Sequence, residues 1–366
     1  MNNRTNERRL GWKEFLLSLF LIVVVWATGD LLGIGIRPTG TPESDPAGVV
    51  RVLFTNPRAQ SSSTNTGGLD EELAALIDES QVSVDVAAFD FELAKVADAL
   101  VRAQQRGVQV RLVTDSDYEE ALGPATLRAA GVPVVTDDRD AFMHNKFVVI
   151  DGHQVWTGSW NLTENGTYRH NNNVLVIQST KMAKNFTAEF EEMFEDGAFG
   201  PTSPDSIPYP YLDLNGIQIE TIFESEGNAR ERIIDLIKDA DNSILFMSFV
   251  LTDNDITKAI IARHRAGVRV AGVIESGNIG DAGSDLEALR QAGVDVLADG
   301  NPYLLHHKVI ILDGSIVITG SYNFSASAAE NNDENVLILH SPEVAVRYVE
   351  EFDSVYSTAE ATAASH

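Results

Sequence analysis

The 366-residue chain contains no cysteine. Disulfides, thiolate metal sites and cysteine nucleophiles are thereby excluded. Basic residues are scarce: 27 Lys and Arg stand against 54 Asp and Glu, a formal net charge of −27. Such a surface repels polyanions at long range and argues against a general, high-affinity nucleic-acid binder, whose mark is a basic face. It leaves room for chemistry on a phosphate held in a local basic pocket, and it also reads as a solubility adaptation. Long apolar runs are missing as well, with one exception. FLLSLFLIVVVWATG, residues 15–29, follows Arg4, Arg8, Arg9 and Lys13. The run falls short of the ~20 residues that span a bilayer and reaches that length only by counting through Asp30 to Ile36. It reads as an uncleaved signal-anchor at 15–36 behind a basic cytoplasmic segment, 1–14, or as a cleavable signal peptide ending at Ala27-Thr28-Gly29. Both readings export the remainder, either tethered to a membrane outside the cytoplasm or secreted.

What is present is ordinary globular composition, 44% hydrophobic and 22% charged, in a length that suits one large domain or two average ones. RPTGTPESDPAG, residues 37–48, reads as a linker. From Val49 strand and helix signals alternate: VVRVLF, LDEELAALIDES, VSVDVAAFDF, LAKVADALVRAQQRG, VQVRLVTD. This punctuation predicts an α/β fold with mostly parallel, mixed sheets. Four of the 12 prolines fall in residues 200–216, which read as a connection. Beyond it the order repeats: RGVQVRLV is answered by AGVRVAGV, and AAGVPVV by QAGVDVL. The spacing predicts two duplicated halves, 49–199 and 217–357, with a short tail at 358–366.

The repeat is sharpest at HNKFVVIDG, residues 144–152, and HHKVIILDG, residues 306–314, displaced by 162. TGSWN (157–161) and TGSYN (319–323) keep the same displacement, and HNNNVLVI answers NDENVLIL, setting Asn172 against Glu334. Along a strand, residues i and i+2 share a face, so His144 projects with Lys146 and His306 with Lys308. His307 points to the other face. Asp151 and Asp313 precede glycine at a strand exit and read as structural turn residues. Ser159, Asn161, Ser321 and Asn323 follow a glycine, where a backbone can approach a ligand closely. Trp160 and Tyr322 suit either a substrate groove or the core, and His153, His170, His264 and His340 read as incidental.

The paired pattern H-x-K-x4-D followed by G-S-x-N resembles the phospholipase D superfamily of phosphodiesterases, over nearly all of residues 49–357. The resemblance implies two α/β/α halves packed about a pseudo-twofold, with one site built from both. It implies that one histidine forms a covalent phosphohistidine while the other protonates the leaving alcohol, and that no metal or other cofactor takes part. The lysines with Asn161 and Asn323 would act on the phosphate, and Ser159, Ser321 and Asn172 would bind substrate. The family places an acid after G-S-x-N to support a histidine. Glu334 lies 28 residues after His306, and the neutral Asn172 lies at that distance from His144. A carboxylate favours imidazolium, so this spacing assigns Glu334 to His306 as general acid and leaves His144 neutral, as nucleophile. The expected substrate is a phospholipid headgroup ester, met at a membrane through the N-terminal segment. A nuclease of the same superfamily and a non-catalytic tethered binding protein remain alternatives. The duplication makes one chain, a monomer, sufficient for a site.

Overall fold

The computed structural model describes residues 42–57, 65–204, 207–224, 227–278 and 285–365. The signal-anchor or signal-peptide segment at 15–36 and the first part of the linker lie outside these residues. Among the described residues no helix is long and apolar enough to cross a membrane.

The first half runs β1 (Glu43–Ser44), β2 (Val49–Phe54), α1 (Leu69–Glu79), β3 (Ser83–Ala88), α2 (Ala94–Gln105), β4 (Gln109–Thr114), α3 (Leu122–Ala129), β5 (Val134–Thr136), β6 (Lys146–Ile150), β7 (Gln154–Gly158), α4 (Glu164–Tyr168), β8 (Asn173–Gln178) and α5 (Thr180–Phe194). The second runs β9 (Tyr211–Leu214), β10 (Ile217–Phe223), α6 (Ala229–Asp239), β11 (Ser243–Ser248), α7 (Asn254–Arg265), β12 (Arg269–Ile274), α8 (Leu286–Gln291), β13 (Asp295–Ala298), β14 (Lys308–Leu312), β15 (Ile316–Gly320), α9 (Ala326–Glu330), β16 (Asn335–His340) and α10 (Pro342–Ala363). The last helix thus continues through residue 358, and Glu43–Ser44, inside the expected linker, pairs with β9 of the second half.

Each half has one mixed sheet. The first is ordered β2-β8-β7-β6-β3-β4-β5, and the second β1-β9-β10-β16-β15-β14-β11-β12-β13. The α/β class and the duplication are as read from the sequence. Among the described strands the parallel ladders are those of the β3-β4-β5 and β11-β12-β13 runs and the short β1-β9 pair, so antiparallel ladders outnumber parallel ones. The cause is local. Asp151-Gly152 and Asp313-Gly314 make turns at positive φ, which fold β6 onto β7 and β14 onto β15 as hairpins. Asp151 accepts the backbone N–H groups of Gln81, Val82 and Ser83, and Asp313 those of Asp241, Asn242 and Ser243. Each aspartate therefore locks its hairpin to the start of the neighbouring strand.

Three apolar clusters fill the body. One lies under α1–α3 of the first half and one under α6–α8 of the second. The third is shared: Phe147 and Leu175 of one sheet, Val309 and Leu337 of the other, and Phe186, Phe190, Tyr348 and Phe352 from α5 and α10. The strands FVVI and VIIL are buried along their whole length because they face helices on one side and this shared core on the other.

Candidate active site

The two H-x-K segments are held across the boundary between halves by reciprocal bonds. His144 N–H donates to the Asp333 carbonyl (3.0 Å), and His306 N–H to that of Asn171 (2.9 Å). Buried acids brace the preceding residues: Asp115 accepts Met143 N–H at 2.9 Å and Glu275 accepts Leu305 N–H at 2.6 Å. Pairs exchanged in this way are what a twofold relation produces.

The same exchange governs the side chains. His144 Nδ1 lies 2.8 Å from Glu334 Oε2. His306 Nδ1 lies 2.9 Å from Asn172 Oδ1 and 3.0 Å from the Ser159 carbonyl. The expectation that Glu334 serves His306 is therefore corrected: the carboxylate reaches across to the histidine of the other half, and the amide does likewise. The segment that ends in Glu334 crosses over before β16 begins, forming a bridge between Met143 and Asp333. Counting residues along one half cannot reveal that crossing. Carboxylate, amide and carbonyl oxygens are acceptors here, so both histidines carry their proton on Nδ1 and keep Nε2 for substrate.

A second correction concerns Ser159, Ser321 and Asn172, which the sequence assigned to substrate. All three are fully buried. Ser321 Oγ donates to Glu334 at 2.6 Å and accepts Asn335 N–H; Ser159 Oγ donates to Asn172 Oδ1 at 2.9 Å and accepts Asn173 N–H. Asn172 Nδ2 donates to the Gly166 carbonyl. These groups are taken up in orienting the histidines and one another, and none is exposed to a ligand. The glycine before each serine serves the same packing. A Cβ on Gly158 would meet the Asn173 carbonyl oxygen at 2.3 Å, and one on Gly320 that of Asn335 at 2.1 Å. The close approach is made by the neighbouring strand.

Lys146 Nζ donates to the His144 carbonyl (2.7 Å) and Lys308 Nζ to that of His306 (2.9 Å). The ammonium groups also lie over Phe89 and Phe249, at 4.9 and 4.7 Å from the ring centres. The same rings meet His144 and His306 edge-on or tilted, at 4.8 and 4.7 Å. Neither phenylalanine was singled out from the sequence, although AAFDF and MSFVL stand in register as repeats, displaced by 160. His170, set aside as incidental, has its ring 6.2 Å from that of His306. Asn161 and Asn323 sit beside the lysines' strands, each with a buried Oδ1 that has no partner. Trp160 and Tyr322 are core residues, 5% and 2% exposed.

Burial sets the electrostatics. It pushes Lys146 down to about 7 against the opposing pull of Glu334, Asp115 and Asp90. Lys308 is pushed well below its ordinary value by burial and by Lys146. Burial also takes His144 down to about 4, with Glu334 opposing, and holds His306 well below its ordinary value with the lysines' help. Four groups whose positive forms are disfavoured by burial would have those forms stabilised by one thing above all, an anion among them. Among the described residues no three His, Asp or Glu side chains gather as a metal site requires.

The model of the family described as cardiolipin synthase, PLD-like domain, matches twice, at residues 73–194 and 233–356. A phospholipase D of Rickettsia prowazekii is 31% identical over 175 residues, covering 48% of this chain and 85% of that protein. A mitochondrial cardiolipin hydrolase of Xenopus tropicalis is 33% identical over 159 residues, covering 43% and 75%. Among solved structures, phosphatidylserine synthase of Haemophilus influenzae superposes over 82% of this chain and 85% of its own with a TM-score of 0.60 at 12% identity, which shows a shared fold. Two family matches on two halves, each supplying one histidine and one lysine to a single anion-seeking site, make the chain a phosphodiesterase hydrolase belonging to the phospholipase D superfamily.

Proposed function

We propose that the protein is a metal-independent phospholipase D that hydrolyses a phospholipid headgroup ester through a phosphohistidine at His144. The crossed His144–Glu334 pair carries the assignment of roles. When the Nε2 lone pair of His144 attacks phosphorus, the ring becomes cationic, and the carboxylate on Nδ1–H compensates that charge. As the P–N bond forms, the P–O bond to the leaving alcohol breaks, and His306 Nε2–H supplies its proton. His306 has only neutral oxygens on Nδ1, so its imidazolium is the stronger acid and gives up the proton readily. The phosphodiester's own negative charge offsets the lysines and lets His306 be protonated beforehand. In the second step His306 takes a proton from water, the hydroxide oxygen bonds to phosphorus, and the P–N bond breaks. Lys146, Lys308, Asn161 and Asn323 would hold the phosphoryl oxygens throughout. His144 thus keeps the role expected of it, for the opposite reason.

The net charge of −27 favours lipid over polynucleotide. The apolar segment 15–36 would anchor the enzyme on the exported side of a membrane, or direct its secretion. One chain holds both halves of the site, so a monomer suffices. Incubating the full chain in EDTA with phosphatidylcholine, phosphatidylglycerol or cardiolipin vesicles, and with single-stranded DNA, tests the reading. Alcohol release from a lipid supports it; cleavage of DNA alone makes the protein a nuclease. With a nitrophenyl ester, whose departure needs no acid, His306→Ala should accumulate an alkali-stable phosphoenzyme labelled at His144. Label at any other residue sinks the assignment.

A further inference from the structure

The two halves differ beside Lys146. A cavity of about 20 Å³ opens there, lined among others by Phe89, Asp90, Trp156 and Asn161. Three polar atoms of its wall have no hydrogen-bond partner: Asp90 Oδ1, Asn161 Oδ1 and Trp156 Nε1. Trp156 is only 2% exposed, and an indole N–H buried without a partner is costly. In the second half the residues aligned with Asp90, Trp156 and Leu162 are Val250, Ile318 and Phe324, none of which carries a polar side-chain atom. The Asn161 oxygen has its counterpart in Asn323, but the unpaired indole N–H and Asp90 oxygen stand on one side of the phosphate site only.

We propose that this cavity is a hydroxyl subsite: it receives one hydroxyl of an alcohol esterified to the phosphate, which donates to Asp90 and accepts from Trp156 Nε1–H. The volume holds one water-sized group, so a hydroxyl fits and a bulky headgroup does not. A primary ammonium could satisfy the two acceptors but has no lone pair for the indole N–H. An alkyl group would leave all three polar atoms unpaired. The subsite selects polyol phosphodiesters, with glycerol the simplest, over those of simple alkanols and amines. The inference rests on the phosphate being held at Lys146, as in the reading above, and not on the substrate being a lipid.

The test measures competitive inhibition of bis(4-nitrophenyl) phosphate hydrolysis by the full chain, with sn-glycerol 3-phosphate, propyl phosphate and 3-aminopropyl phosphate. The wild type should bind glycerol phosphate about 10- to 100-fold more tightly than the other two. Trp156→Phe should reduce that preference to about threefold or less, with nitrophenyl hydrolysis changed by less than about threefold, and Asp90→Val, whose charge also acts on Lys146, should reduce the ratio among the three compounds to the same level whatever it does to their common affinity. Equal inhibition by all three compounds in the wild type would mean a water site only and overturns the proposal. A tight aminopropyl phosphate overturns it in favour of a cation site. Asp90→Val leaving the ratio among the three compounds as in the wild type overturns it, by confining Asp90 to its field at Lys146. Should Asp90→Val fail to fold, Trp156→Phe alone decides. Vesicles of phosphatidylglycerol and phosphatidylpropanol test the lipid reading separately: if neither is cleaved while the inhibitor preference stands, only the lipid substrate is refuted.

Discussion

Position by position, the two halves match in backbone and differ in charge. Arg139 reaches across to the Asn331 carbonyl and the Asp333 carboxylate; its counterpart Asn301 reaches to the Arg169 carbonyl and the Asn171 amide. Asn145 meets Asn335 and Glu189 at the boundary, and His307 meets Asn173 and Glu351. Behind His144 and His306 a carboxylate stands opposite an amide. The hydrogen-bond plan is common to both halves, while the charge placed on that plan is not. In both halves a side-chain oxygen meets the histidine's Nδ1, although Glu334 is a methylene longer than Asn172; what the exchange of carboxylate for amide changes is the proton affinity of the ring bonded to it. A duplicated scaffold can thus give two identical histidines different work without moving either.

The most severe way to break this comparison is to remove the charge that separates the halves. Glu334→Gln should lower kcat by about 10²- to 10⁴-fold at unchanged fold, since an amide still takes the Nδ1–H bond but no longer offsets a cationic ring. In the exchanged double variant, Glu334→Asn with Asn172→Glu, the phosphoenzyme should move to His306, read by peptide mapping of the labelled histidine. Label remaining at His144 would show that the crossed carboxylate does not set the roles.

Next in size is the lysine pair. Burial disfavours the ammonium form of Lys146 and pushes its pKa down to about 7. Its charge is therefore present below that pH and lost above it. Sulfate, which does not titrate in this range, should bind progressively less well above pH 7, by up to about tenfold per pH unit. Lys146→Met should weaken sulfate at pH 6 and flatten the profile. A profile that stays steep in the variant assigns the titration elsewhere.

The boundary pairs should separate by stability. Arg139→Ala leaves the buried Asp333 carboxylate without its cation and should cost about 3–5 kcal/mol. Asn301→Ala removes a neutral donor and should cost about 1 kcal/mol. Urea unfolding of both variants measures the gap, and equal losses would mean that the charge at this boundary is already solvated.

The smallest expected difference lies at the hairpin aspartates, where the halves agree. Burial pushes the Asp151 and Asp313 carboxyls up, but the backbone N–H groups they accept outweigh it and hold both below the usual carboxylate range. A depressed carboxyl stabilises the fold above its unfolded pKa, ~3.9, and that gain is lost as pH falls through the folded value. Asp151→Asn and Asp313→Asn should each flatten the acid limb of stability below about pH 4, by similar amounts and with little change in kcat/KM.

Much of this molecule could be read from one strand of text. The 162-residue displacement exposed the duplication, and strand alternation put His144 with Lys146 and His306 with Lys308. What the text hid was every relation between halves. Glu334 was matched to the histidine in its own repeat because sequence distance carries no information about which side of a boundary a loop ends on. Ser159 and Ser321 looked ligand-facing because a glycine preceded them, yet the close contact there is a neighbouring carbonyl. Phe89 and Phe249 escaped notice because aromatic residues at a strand end look like core. Their register with the repeat was visible, but not their place over the lysines.

The crossed pairing has a consequence for how activity arises during folding. Neither half completes the surroundings of its own histidine, since each ring is held by an oxygen supplied by the other. A chain in which only one half has reached its native form would have every strand of that half in place and still be inert. The enzyme's turnover is thus a reporter of docking between its halves, and a regain of activity that lags behind the regain of strand signal during refolding would time that final event.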